Sequence, residues 1–118
     1  MNDLPITNNV YGFLYSKVGL RDVAKVLQDF LELSEKQAYI YKSQFDGNET
    51  LKIRTEAYEF ETQSLEEEDK WLFNGAVAGD IDSIKVILKE ICDTLKIKGY
   101  EANFEIYDEN CEFISEYP

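Results

Sequence analysis

The chain has 118 residues, 44% of them hydrophobic and 14% aromatic, enough for a single domain that buries roughly two thirds of its unfolded surface. Its 24 Asp and Glu against 12 Lys and Arg leave a net charge of -12 and a pI near 4.3, a field that repels nucleic acid and anionic membranes and speeds encounter with basic macromolecules. There is no histidine, which excludes His-based acid–base catalysis, Ser-His-Asp triads and His-containing zinc sites.

The opening segment, MNDLPITNNVYGF, carries neither a basic leader nor an apolar h-region. No run approaches the roughly 18 apolar residues of a membrane span, so a cytoplasmic protein with no membrane partner is expected. VYGFLYSK then reads as a strand. In LRDVAKVLQDFLEL the spacing of Leu20, Val23, Ala24, Leu27, Phe30 and Leu31 predicts a helix over about 20–33 with that face buried. QAYIYKSQF, the turn DGNE and TLKIRTEAYEF read as a hairpin. The acid-rich ETQSLEEEDK, residues 61–70, reads as a connection to the strand WLFNGAVA, whose Trp71 is expected in the core.

The clearest periodicity follows. Ile81, Ile84, Leu88, Ile91 and Leu95, flanked by Ile87 and Cys92, predict a helix over about 81–97. Asp80 serves as its N-cap, Asp82 suits the positive end of the dipole, and Lys96, Lys98 and Gly99 supply C-terminal signals. YEANFEIY, the turn DEN and CEFISEY form a second hairpin. Cys92 and Cys111 are too few for a disulfide scaffold and are expected reduced.

The order is β-α-β-β, then β-α-β-β. At an offset of 60, Phe13, Gly19, Asp22, Lys25 and Val26 match Phe73, Gly79, Asp82, Lys85 and Val86, and the turns at Asp46 and Asp108 correspond at an offset of 62. These matches suggest a single domain, 1–118, with repeated halves at about 9–61 and 70–118. The expected fold is α+β: one mostly antiparallel sheet of about six strands with two helices on one face. A ferredoxin-like core with added strands is the alternative.

Familiar chemistry is missing. Gly75–Gly79 gives only GAVAG before a helix, and Asp80 at its start opposes phosphate. A calcium loop beginning at Asp46 would need its bidentate acid where Ala57 stands, and the acids around Asp108 read as a solvated turn. No catalytic residue, cofactor or metal is expected, and the chain is read as a non-enzyme.

The sign and segregation of charge are the positive signal. Glu56, Glu59, Glu61, Glu66, Glu67, Glu68 and Asp69 are interrupted by no base, and neither is the stretch from Gly99 to Pro118, while most bases lie in the helices and the first hairpin. Alternation in YEANFEIY puts Tyr100, Ala102, Phe104 and Ile106 on one face and Glu101, Asn103, Glu105 and Tyr107 on the other; Glu112 and Glu116 continue the acids on the last strand. Exposed acids keep a sheet soluble and protect its edges. Solubility explains their polarity but not their single sign, because opposed like charges weaken a sheet. The predicted partner-binding set is therefore Glu59, Glu61, Glu66, Glu67, Glu68, Asp69, Glu101, Glu105, Tyr107, Glu112 and Glu116, receiving a basic protein.

In size, acidity, absence of catalytic residues and α+β pattern, the chain resembles small immunity proteins of bacterial toxin systems, such as those of contact-dependent growth inhibition. The resemblance is one of class. It implies an antitoxin role: binding a cognate toxin domain, often a basic nuclease, with carboxylates on the Lys and Arg that would otherwise hold nucleic-acid phosphate. Two other classes fit the same residues. A nucleic-acid mimic of the anti-CRISPR type would use the same acids against basic clefts more broadly, and a small-molecule-binding regulatory domain would use the turns at Val18-Gly19 and Ala78-Gly79.

Overall fold

The computed structural model describes residues 4–118, so the first three residues of the opening segment lie outside it. Within that range the elements are β1 (Val10–Tyr15), α1 (Arg21–Phe30), β2 (Ala38–Lys42), β3 (Glu49–Arg54), β4 (Tyr58–Ser64), β5 (Lys70–Val77), α2 (Ile81–Ile97), β6 (Glu101–Tyr107) and β7 (Phe113–Tyr117). The strands form one sheet in the order β2-β3-β4-β5-β1-β6-β7, and every neighbouring pair is antiparallel. The two helices pack against each other on one face. No helix among the described residues is long and apolar enough to cross a membrane.

This is the expected α+β sheet-and-helices layer, with a definite topology. The strands β6-β1-β5-β4, with a helix after β1 and another joining β5 to β6, make the split β-α-β arrangement of ferredoxin-like folds. The β2–β3 hairpin extends it beyond β4, and β7 extends it beyond β6.

The sheet has seven strands rather than about six because TLKIRTEAYEF bends. The Thr55 hydroxyl accepts the amides of Ala57 and Tyr58, both at 3.1 Å. That side-chain turn breaks the run into β3 and β4. The acidic connection is correspondingly shorter than 61–70: β4 continues through Ser64, β5 begins at Lys70, and only residues 65–69 connect them. Glu61 is a strand residue.

The repeated halves agree neither as lists of elements, since β1-α1-β2-β3-β4 has one strand more than β5-α2-β6-β7, nor as positions. After α2 the chain enters β6 beside β1 and then moves outward to β7; after α1 it goes first to the outer edge at β2 and returns inward through β3 and β4. The residues matched at an offset of 60 do not share a face either, since Phe73 is buried and Phe13 lies on the opposite, half-exposed side. The spatial equivalents are different residues. Gly12 on β1 opposes Phe104 on β6, and Gly75 on β5 opposes Phe60 on β4. At each pair the Phe ring lies over the backbone of the glycine, where a Cβ would stand 2.7 Å from Phe104 Cδ1 or 2.5 Å from Phe60 Cδ1.

Those rings meet at the centre of the core. Phe60, Phe73 and Phe104 have centroids 5.2–5.7 Å apart, within the range of favourable aromatic contacts. Above them α1 buries Val23, Ala24, Val26 and Leu27, and α2 buries Ile84, Leu88, Ile91, Cys92 and Leu95. α2 has the predicted bounds and the predicted cap, with Asp80 accepting from the Ser83 amide at 2.8 Å. α1 stops at Phe30 rather than Leu33, and Phe30 is half exposed rather than buried. Trp71 packs partly buried against the core.

A candidate protein-binding face

With both helices on one side, the opposite face of the sheet is open. Alternation along each strand decides which residues reach it, and the strand register decides which of them meet. Glu105 has Tyr11 opposite it on β1 and Glu116 opposite it on β7. Tyr107 faces Phe113. Tyr15 lies between Glu101 and Lys70, and Phe13 between Asn103 and Leu72. Farther across, Glu61 lies between Asn74 and Lys52, and Glu59 opposes Arg54.

Charge divides this face into two halves. In the β2–β5 half the acids have cations beside them. Lys52 Nζ is 3.9 Å from Glu61 Oε1 and sits 5.0 Å from the Tyr41 ring centroid. Arg54 is the register partner of Glu59. At the boundary, Lys70 Nζ lies 4.3 Å from the Phe13 centroid, 5.5 Å from that of Tyr15 and 3.5 Å from Glu67. The aromatic faces of Tyr41, Phe13 and Tyr15 thus already carry ammonium groups, held there by the ring quadrupole and a neighbouring carboxylate.

Beyond Lys70 at its edge, the β1–β6–β7 half has the same two components without the cation. Among the described residues no Lys or Arg nitrogen comes within 4.0 Å of Glu101, Glu105 or Glu116. Beside these acids, Tyr107 packs edge-on against Tyr11 at 5.4 Å and against Phe113 at 5.9 Å. Tyr11 remains 38% exposed and Phe113 52%. A shallow depression beside Tyr11 is lined by Tyr11, Phe13, Asn103, Glu105 and Glu116.

The sequence-predicted residues distribute unevenly over this surface. Glu101, Glu105, Tyr107 and Glu116 come together on the open face of β6 and β7. Glu59 and Glu61 lie on the same face but in the compensated half. Glu66, Glu67, Glu68 and Asp69 occupy the β4–β5 connection, and the last three share a depression with Tyr15 and Glu101 at one end of the sheet. Glu112 stands in the β6–β7 turn, its amide donating to Asp108 Oδ1 at 2.9 Å. Tyr11 and Phe113 complete the aromatic group and were absent from the predicted set. Alternation in VYGFLY could have found Tyr11, since Val10, Gly12 and Leu14 are the buried set.

Other reactive groups are tied into structure. Asp46 accepts the Asn48 amide at 2.9 Å, which holds its carboxyl below the usual carboxylate range; Asp108 accepts the amides of Asn110 and Glu112 at 2.9 Å each. Both acids build hairpin turns. Asp80, held low by the Ser83 amide, fills the N-terminus of α2 with its own negative charge. Among the described residues no group of three or more Cys, Asp and Glu is arranged to hold a metal ion. Both cysteines are free: Cys111 is exposed, and burial pushes the Cys92 thiol up to about 12. No family model matches the chain, and neither a curated protein nor a solved structure matches it.

Proposed function

We propose that the chain is a non-catalytic, cytoplasmic protein of the immunity type, which neutralises a basic toxin domain, a nuclease in its simplest form, by covering that domain's cationic surface with the open sheet face. The observation that carries this reading is the register pair Glu105–Glu116: two carboxylates directly opposite one another, without a cation of their own. Opposed like charges weaken the free sheet. A partner that brings Lys and Arg removes that penalty on binding and gains charge-assisted hydrogen bonds. Electrostatics would govern the association rate, and Tyr11, Tyr107 and Phe113 would supply contact area that slows dissociation.

The deciding experiment is co-purification of the tagged chain with the products of neighbouring genes, at low and then high salt. The expected result is a stoichiometric complex with a basic, toxic domain whose association slows steeply as salt rises. Absence of any salt-sensitive partner, together with a small molecule that raises Tm, would overturn it in favour of a ligand-binding domain.

A further inference from the structure

Within that reading, we propose that the β1–β6–β7 half of the open face is an arginine receptor: the partner's anchoring side chain is a guanidinium, which bridges Glu105 and Glu116 while its plane lies against the ring of Tyr11. The chain itself supplies the pattern. Lys52 stands over Tyr41 on the compensated half and Lys70 over Phe13 and Tyr15 at its boundary with β1, with carboxylates of Glu61 and Glu67 beside them. The remaining half repeats aromatic rings and carboxylates but not the cation, so the missing component is a positive side chain from outside.

Arginine fits better than lysine for geometric reasons. Glu105 and Glu116 are register partners on adjacent strands and point to the same side, and residues so paired have Cβ atoms about 5 Å apart. An ammonium is a compact point charge, whereas a guanidinium spreads five N–H donors over a planar fork that can reach two carboxylates together. The exposed ring of Tyr11, which lines one depression with Glu105 and Glu116, offers that plane something to stack on, which a strongly hydrated ammonium uses less well. Tyr107, packed edge-on against both Tyr11 and Phe113, braces that ring.

The test uses two peptides, identical except that three spaced Arg in one are Lys in the other. Equal charge makes their long-range attraction to the acidic protein equal. Titrated into the intact chain at fixed ionic strength, the Arg peptide is expected to bind about fivefold tighter, with the largest amide shifts at Tyr11, Glu105, Tyr107 and Glu116. Tyr11→Ala should abolish the preference, and Glu105→Gln with Glu116→Gln, isosteric and free of added repulsion, should abolish binding at this half without unfolding the protein. Equal affinity for both peptides would overturn the arginine inference and leave the acidic-surface reading standing. Shifts centred on Lys52 and Arg54, or binding by neither peptide, would also overturn it, and the immunity reading would then be decided by the co-purification result alone.

Discussion

The two halves of the sheet are alike beneath and unlike above. On the helix-covered side each has a glycine on a central strand facing a phenylalanine on the next strand out, Gly12 with Phe104 and Gly75 with Phe60, and both rings meet Phe73. On the open side one half carries Lys52 and Arg54 among its glutamates, and the other carries Glu101, Glu105 and Glu116 with, among the described residues, no Lys or Arg nitrogen within 4.0 Å. Packing constrains both buried faces to one solution. The open faces are free of that constraint, so they can differ in charge without disturbing the core.

The largest expected effect tests the likeness. A Cβ on Gly12 would lie 2.0 Å from the Asn103 carbonyl oxygen, and one on Gly75 2.3 Å from that of Glu59. Neither neighbour is a side chain that can swing away. Gly12→Ala and Gly75→Ala are each expected to destabilise by about 3 kcal/mol, the upper end of ordinary overpacking, as a fall in denaturation midpoint at unchanged slope. A small loss at one site with a large loss at the other would show that the halves are not packed alike.

Charge reversal tests the difference. Glu105→Lys with Glu116→Lys should slow association with a basic partner about tenfold or more at low salt. Glu59→Lys with Glu61→Lys makes the same change in net charge in the compensated half and should slow it only a few-fold. Reversal of Glu66, Glu67, Glu68 and Asp69 is expected to fall between these, because the stretch adjoins Glu101 but Glu67 already pairs with Lys70. Stopped-flow rates for the three variants would separate local recognition from bulk charge. Equal slowing by the two double reversals, with greater slowing by the reversal of Glu66, Glu67, Glu68 and Asp69 because it changes twice as many charges, would mean that only net charge matters and that the open face has no preferred half.

The legibility of these features in the sequence follows the range of the interaction that creates them. α2 has the predicted bounds because its signals are local: Asp80 caps it, and Gly99, at φ 84°, takes the left-handed position that lets the Tyr100 amide return to the Leu95 carbonyl. α1 ends with the same device, the Leu33 amide returning to the Gln28 carbonyl, but its left-handed residue is Glu32 at φ 55°. A glutamate gives no such signal, so the helix reads three residues too long. The break at Thr55 is hidden for a similar reason, since a threonine hydroxyl makes the turn in place of Gly, Pro or Asn. Alternation correctly sorted the faces of β6. It could not show that Glu105 meets Glu116, or that Lys52 and Arg54 stand beside Glu61 and Glu59, because register is set by the turns and by the irregularity at Ile106/Tyr107.

The smallest expected effect is the most specific to the contrast between the halves. In the free protein Glu105→Gln removes a like-charge contact with Glu116, whereas Glu61→Gln removes an attraction to Lys52. The first should therefore raise stability by a few tenths of a kcal/mol and the second lower it by a similar amount. Salt should erase both differences, since screening weakens repulsion and attraction alike. Denaturant unfolding of the two variants at low and high salt measures this directly. Opposite signs at low salt that converge at high salt would establish that the acidic half is strained by its own charge before any partner arrives. The same sign for both would mean that water and rotamer freedom already relax the Glu105–Glu116 pair, and relief of repulsion would then contribute nothing to binding.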